Sequence, residues 1–408
     1  MLRANSSHPF CQSDKIKIMN ENIMKNKILY ALLLFVLICG MFSTCNAEPK
    51  QTTVSALFLL NQTAASSHAD ALKTMLAKVL TEFEAPGASM AIKFQDGSVF
   101  QHAAGVADTT NGEPLTIEDY FRIGSATKTF TAVATLLLYQ DDLLDLDDTV
   151  ESILPDLTEF NSMHGKGITV RMLLNHTSGL DDYVHLPDNN QFIDAFIADP
   201  EKTWSPEEMV LTAVTHGLIS IPGSTFHYAN TNYILLGLII EKRSNMDFEA
   251  FIAGRLFQPL KLQHTSVPVT TGFPGKYAHG YLERDGDGVL YDYSIQSPTA
   301  VWAAGNLIST VPDLLIWLES LMEGGLLGSE IKNEQFNFSL DEAGNGYGLG
   351  VAAMGYALGH NGTVLGYQTW MFRYQNIYFV IYSNCFYGTK ENLAQVIFER
   401  AQKIIFPE

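Results

Sequence analysis

Phe121-Arg122-Ile123-Gly124-Ser125-Ala126-Thr127-Lys128-Thr129-Phe130 feeds small and polar residues straight into the apolar run Ala132–Tyr139. Gly124 and Ser125 suit the turn into a first helical turn. Ser125 and Lys128 then lie three positions apart on one helix and share a face. A serine hydroxyl is a weak nucleophile at its own pKa and needs an adjacent base. A helix start adds free N–H groups and a positive dipole end, which suit a developing oxyanion. One Ser-x-x-Lys is weak on its own. A second copy, Ser329-Glu330-Ile331-Lys332, sits between Gly-rich and polar stretches with no apolar helix behind it. Ser125 therefore needs companions elsewhere in the chain.

Upstream, Ala71, Leu72, Met75, Leu76, Val79, Leu80 and Phe83 recur at helical spacing and predict a helix over Ala65–Phe83, ended by Pro86-Gly87. Two strands, Ala88–Phe94 and Val99–Val106, flank Asp96-Gly97, a hairpin signature. Further upstream, Lys25 and Lys27 precede an apolar run, Ile28–Cys39, and then Ser43-Thr44-Cys45-Asn46-Ala47. That run is short for a bilayer span and reads as a cleaved export signal, with cleavage after Ala47. The alternative is an uncleaved tether; lipid attachment at Cys45 is disfavoured by the bulk of Thr44. Met19 and Met24 are alternative translation starts. The expected organisation is an extension and signal over 1–47 and one domain over 48–408.

Downstream, Leu143 to about Pro298 is mixed and mostly helical, with Gly-, Pro- and Asp-rich loops. Arg171-Met172-Leu173-Leu174-Asn175-His176-Thr177-Ser178-Gly179-Leu180 ends a helix in a turn, and His176 reads as a turn histidine that fixes backbone carbonyls rather than as a catalyst. Tyr228 and Asn230 sit two apart before an apolar helix, Ile234–Ile240, so in extended chain they point the same way. A phenol and an amide so placed offer a proton shuttle and a substrate hydrogen bond; a packing aromatic and a helix cap is the plainer alternative. Ala303-Ala304-Gly305-Asn306-Leu307-Ile308-Ser309-Thr310 leads into a helix over Val311–Met322. The end of the chain reads as strands Gly348–Met354, Tyr356–Leu358, Gly366–Tyr374 and Tyr378–Asn384, then a helix over about Glu391–Ile405. Gly359-His360-Asn361-Gly362-Thr363 falls between two of these strands. Strands that bracket a helical middle suit one sheet built from both chain ends with helices on its faces.

Composition narrows the class. Of four cysteines only Cys385 lies beyond the proposed cut, so the mature chain holds no internal disulfide, which suits a bacterial envelope. Cys385 follows a strand-like run and reads as packed. The net charge is −19; without residues 1–47, 20 basic residues face 42 acidic ones, a net of −22. That argues against nucleic acid or an anionic membrane as partner. The eleven histidines show no His-Glu-x-x-His or paired metal spacing, and there is no Gly-x-Ser-x-Gly elbow or phosphate-cradling loop, so neither metal nor cofactor is expected.

Three pieces now stand in order: Ser125-x-x-Lys128, Tyr228-x-Asn230 and His360-x-Gly362. Together they resemble the serine β-lactamase and penicillin-binding protein superfamily over roughly residues 65–405. Leu173–Leu180 and Ala304–Thr310 look like the family too. A rival Tyr382-Ser383-Asn384 follows the third motif and breaks the order. His360, where many members carry Lys, is similar to serine D-alanyl-D-alanine carboxypeptidases and lowers the β-lactamase reading. The resemblance implies an α/β (α+β) β-lactamase/transpeptidase-like fold: an antiparallel sheet flanked by helices, with a mostly helical inserted region. It implies acyl transfer in which Ser125 attacks a carbonyl while Lys128 and Tyr228, both with depressed pKa values, move its proton. Backbone N–H groups of Ser125 and Thr363 would form the oxyanion hole, Gly362 would admit the substrate backbone, and Asn230 would hold the acyl side chain's amide. His360 would bring positive or donor character to a substrate carboxylate or to Tyr228. The expectation is an exported D-alanyl-D-alanine carboxypeptidase-like enzyme, secreted or periplasmic, acting on cell-wall peptides. A class C-like β-lactamase or an esterase is the alternative within the fold, and a non-catalytic envelope binding protein the alternative outside enzymes. Small peptides, β-lactams or esters are the expected partners. Arg373 reads as a strand-surface residue rather than a carboxylate anchor.

Overall fold

The computed structural model describes residues 63–163, 167–185, 191–215, 217–283, 288–387 and 392–407. The expected export signal and Cys11, Cys39 and Cys45 lie outside the described residues.

The first helix among the described residues, α1 (Ala64–Phe83), begins where the Thr63 side chain accepts the Ser66 N–H. It ends at Glu84, left-handed, whose N–H closes on Leu80 and Thr81 carbonyls. Its apolar stripe, Leu72, Met75, Leu76, Val79 and Leu80, is buried, as the spacing predicts. The chain then forms the hairpin β1 (Gly87–Lys93) and β2 (Val99–Asp108), with a short β3 (Glu113–Pro114). The remaining strands of this sheet come from the other end of the chain: β4 (Gly346–Tyr347), β5 (Ala352–Met354), β6 (Ala357–Val364), β7 (Tyr367–Tyr374) and β8 (Ile377–Ser383). The sheet order is β3-β2-β1-β8-β7-β6-β5-β4, antiparallel throughout. The two chain ends meet where β1 pairs with β8, Met90 opposite Ile381.

Both sheet faces are apolar, because each is covered by helices. Along β8, Ile377, Phe379 and Ile381 join one core while Tyr378, Val380 and Tyr382 join the other, the period-2 division of a strand. The first core lies under α1 and the last helix, Leu393–Ile405, which supplies Leu393, Ile397 and Phe398. The second holds the helices of the middle region. There the helix Thr127–Gln140 is buried along nearly its whole length, and the helix Val311–Glu323 packs across it. Trp317 stacks on Phe130 at 3.7 Å between centroids and donates its indole N–H to Thr129 Oγ1 at 2.8 Å. A pair of this kind contributes about 0.5–1.5 kcal/mol beyond its burial. Cys385 is buried, as read, and Tyr382 of the rival motif stacks on Phe121 at 3.8 Å in the core.

One expectation is corrected. Gly359–Thr363 is not a connection between strands but the body of β6, paired with β7 from Leu358↔Arg373 to Val364↔Tyr367. Two glycines inside a short segment weaken the strand signature. Gly362 is there because β6 presses on the turn Gly124–Ala126. A Cβ at Gly362 would stand 1.9 Å from the Ile123 carbonyl oxygen, and one at Gly124 2.7 Å from Thr363 N. Gly362→Ala is expected to force strand and turn apart, at about 1–3 kcal/mol. A lowered thermal midpoint together with lost turnover is the expected result; wild-type values for both would show that this contact is not a constraint.

Candidate active site

Ser125 lies in the 3₁₀ turn Gly124–Ala126, and the α-helix carrying Lys128 starts at Thr127. The expected single helix is thus a tight turn joined to a helix. Lys128 is fully buried. Its Nζ lies 3.2 Å from Ser125 Oγ, 2.7 Å from Asn230 Oδ1 and 2.8 Å from the Ala304 carbonyl oxygen. Burial pulls its pKa down to about 7, against the pull of the nearby Asp182 carboxylate. A neutral amine has two N–H groups and one lone pair. The Asn230 and Ala304 oxygens only accept, so they take the two N–H groups and the lone pair is left facing the Ser125 hydroxyl.

The Tyr228 hydroxyl hydrogen-bonds Ser125, and the Lys128 Nζ stands 5.0 Å from its ring centroid. Burial of the phenol pushes its pKa well up, and the Ser125 bond offsets only part of this. The expectation that Tyr228 is depressed like Lys128 is therefore not met: the site pairs a weakened acid with an activated amine. Asn230 begins the helix Asn230–Ser244, with both side-chain heteroatoms engaged. Oδ1 accepts from Lys128, and Nδ2 donates to Asp182 Oδ1 and Oδ2, each at 3.1 Å. The expected hold on an acyl-chain amide thus finds the Asn230 side chain already committed.

Sequence reasoning missed Asp182. It is buried, and it also accepts the N–H groups of Asn230 at 3.1 Å and Val184 at 3.3 Å. The family-like stretch ends at Leu180, two positions short, and the acidic pair that follows the glycine turn was the available signal.

His176 has φ +59° and no exposure. Its Nδ1 accepts the Ala229 N–H at 3.2 Å, its carbonyl accepts the His227 N–H at 2.8 Å, and its ring lies 4.3 Å from that of Tyr228. It is a turn histidine, as read, but it anchors N–H groups rather than carbonyls, and they belong to the Tyr228 segment.

His360 projects from β6. Its Nδ1 donates to the Asn361 carbonyl at 2.5 Å, which leaves Nε2 to accept the Tyr347 hydroxyl at 3.0 Å. Burial first, then the Lys128 charge, pull its pKa down to about 3. The ring is neutral, and the expected positive character at this position is absent. Arg373 is bonded to Asn376 on the strand surface. Ser329 and Lys332 lie on a separate short helix, with Lys332 bonded to the Met322 carbonyl.

Ser125, Tyr228, Asn230 and Thr363 open on a cavity of about 460 Å³. Phe192, Ile193, Phe196, Ile197 and Leu365 make much of its wall apolar. A second cavity, about 810 Å³, lies beyond Tyr228 against Phe226, Tyr347, Met354 and His360. The described residues include no group of three or more His, Cys, Asp or Glu able to hold a metal ion.

The family model described as Beta-lactamase matches residues 74–402. The chain belongs to the Beta-lactamase family. Within it, a penicillin-binding protein of Bacillus subtilis (strain 168) is 30% identical over 299 residues, 68% of this chain and 62% of the relative. The chain thus spans less than two thirds of that relative's length. A beta-lactamase of Yersinia enterocolitica is 28% identical over 300 residues, 74% of this chain and 68% of the relative. Among solved structures, a D-stereospecific amidohydrolase from Streptomyces sp. superposes with TM-score 0.72 at 28% identity, covering 83% of this chain and 98% of that one. The D-amino acid amidase of Ochrobactrum anthropi SV3 gives 0.71 at 27% identity, covering 82% and 97%. The family and fold expected from the three motifs are both met.

The anchoring role of His176 is open to test. His176→Ala removes a buried ring and is expected to cost about 3–5 kcal/mol, as large-to-small core changes do. His176→Asn keeps a residue tolerant of positive φ and an acceptor for Ala229 N–H, so its thermal midpoint should lie above that of His176→Ala. Equal midpoints would remove the anchor role.

Proposed function

We propose that this protein is a serine hydrolase that forms an acyl-enzyme on Ser125 and acts on compact amides carrying an apolar acyl side chain. The observation that carries this is Lys128 Nζ at 3.2 Å from Ser125 Oγ with the Asn230 and Ala304 oxygens as its other partners; in the neutral amine these two acceptors leave the lone pair for Ser125. Ser125 Oγ attacks the carbonyl carbon and its proton passes to Lys128 Nζ. The carbonyl oxygen gains charge between the backbone N–H groups of Ser125 and Thr363, which the Gly124–Thr363 approach brings together. As the C–N bond breaks, the Tyr228 hydroxyl donates to the departing nitrogen and the Lys128 ammonium restores that proton. Water then attacks the ester, delivering one proton to the same base, and the acid leaves with Ser125 regenerated.

The apolar wall of Phe192, Ile193, Phe196 and Ile197 favours an apolar acyl substituent. The neutral His360 favours an uncharged leaving group, and the likeness to a D-stereospecific amidohydrolase and a D-amino acid amidase supports a D-configured acyl centre. A D-alanyl-D-alanine carboxypeptidase is the second reading, favoured by the likeness to a penicillin-binding protein; its substrate ends in a carboxylate, which His360 does not meet with charge. We also propose export to the cell envelope or medium, on the basis of Lys25, Lys27 and the run Ile28–Cys39.

Ammonia release from D-phenylalanine amide, its L-isomer as control, and D-Ala release from a Lys-D-Ala-D-Ala peptide separate the two substrate readings. Ser125→Ala should abolish whichever reaction occurs, and fluorescent-penicillin labelling should vanish with it. Full hydrolysis by Ser125→Ala would end the serine mechanism.

A pH profile follows from Lys128. The base works only when neutral, so kcat/KM for a p-nitrophenyl ester should rise with pH and level off above about 7. A profile flat from about pH 5 to 9 would remove Lys128 as the base.

A further inference from the structure

We propose that Asp182 is a positioning residue for acyl transfer: it locks the Asn230 amide with its oxygen toward Lys128 and supplies a buried counter-charge to that amine. The proposal rests on the Ser125–Lys128 reading above and deepens it.

An asparagine amide is nearly symmetric in shape, and only its partners decide which end is oxygen. Turned over, Asn230 would set an NH₂ group against the Lys128 amine, donor to donor. A carboxylate accepts and cannot donate, so Asp182 selects the orientation: Nδ2 meets its two oxygens, each at 3.1 Å, and Oδ1 turns to Nζ at 2.7 Å. The Asn230 backbone N–H, also on Asp182 Oδ1 at 3.1 Å, pins the same residue a second time. Asp182 thereby aims the Lys128 lone pair at Ser125 through an intermediary.

The charge argument is independent of the orientation argument. Burial raises the Asp182 carboxyl above its ordinary value, and the Val184 and Asn230 donors and the Lys128 charge offset only part of that. Around Lys128 stand the Tyr228 and Tyr233 rings, 5.0 and 5.5 Å from Nζ, and the electrostatic neighbours His176 and His360. Both histidines are held neutral by burial, and both phenols are pushed up. Tyr183, beside Asp182, is likewise pushed up by burial. Asp181 accepts the Asp182 N–H at 2.9 Å and faces His227 at 3.7 Å, and His185 lines the cavity. Among the described residues, Lys128 and Asp182 are thus the buried opposite charges that face each other here. Without the carboxylate, protonated Lys128 loses stabilisation and sheds its proton at lower pH.

The test is the acid limb of kcat/KM for a p-nitrophenyl ester, measured in wild type, Asp182→Asn, Asp182→Glu, Asn230→Ala and Ser125→Ala. Asp182→Asn keeps the shape and removes the charge; its limb should move down by about one pH unit, with a plateau lowered about 10- to 100-fold by the looser aim. Asp182→Glu keeps the charge and should hold the limb near its wild-type position. A limb unmoved in Asp182→Asn, whatever its plateau, overturns the proposal. If Asp182→Asn does not fold, Asn230→Ala carries the test. Removing the relay must also move the limb down, and an unmoved limb there overturns the proposal. Ser125→Ala reports on the underlying reading. Hydrolysis surviving in that variant ends both readings, whereas a dead Ser125→Ala beside an unmoved Asp182→Asn limb ends only the role of Asp182.

Discussion

An amine removed from water must be satisfied by the protein or give up its proton, and the centre of this protein does both to Lys128. Its Nζ meets three oxygens within 3.2 Å in a fully buried position. Each oxygen comes from a different part of the chain: the turn before its own helix, the start of the Asn230 helix, and the Ala303–Gly305 segment. Misplacing the Asn230 or the Ala304 oxygen leaves a buried N–H without a partner, a penalty of about 1–3 kcal/mol, and misplacing Ser125 leaves the lone pair without its hydroxyl. The requirement to satisfy one amine therefore aligns three elements far apart in sequence.

Around that amine the protein removes charge rather than adding it. His176 and His360 are neutral, and the tyrosines Tyr228, Tyr233 and Tyr347 are held protonated by burial. A chain with net charge −19 keeps most of its acids at the surface. The proton affinities of these groups are set by enclosure and, at Lys128, also by the Asp182 carboxylate. The walls matter for the same reason, since aromatic side chains exclude the water that would otherwise level these differences.

Local chemistry was legible in the chain and long-range chemistry was not. The hairpin at Asp96-Gly97, the stripe of α1 and the order of Ser125–Lys128, Tyr228–Asn230 and His360–Gly362 rest on neighbours in sequence, and the structure brings all three pairs together. A sheet built from both chain ends followed from the placing of the strands; that β1 would meet β8 did not. The acidic pair at Asp181-Asp182 was in view, but nothing local says that Asp182 reaches Asn230 across 48 positions. The neutral state of His360 depends on burial and on the Lys128 charge, neither of which the motif encodes. Tyr228 was misjudged for a related reason: the same enclosure lowers an amine and raises a phenol, and a motif does not say how deep a group lies. The continuity of β6 was hidden by glycines whose purpose is a contact with Ile123.

The seam between β1 and β8 has a temporal meaning as well. Ser383 reaches Gly87 across 296 positions, so the first hairpin emerges during synthesis long before its partner strand exists. Until then the Met90–Ile92 edge, apolar on both faces, has no strand to close it. Closure of so long a loop comes late and sets a slow step. The strand that carries Thr363 lies on the far side of that seam. The approach of Gly362 to the Ile123 carbonyl therefore waits for that strand, and a ribosome-bound fragment that ends before it, even one that already contains Ser125, Lys128 and Tyr228, lacks the contact.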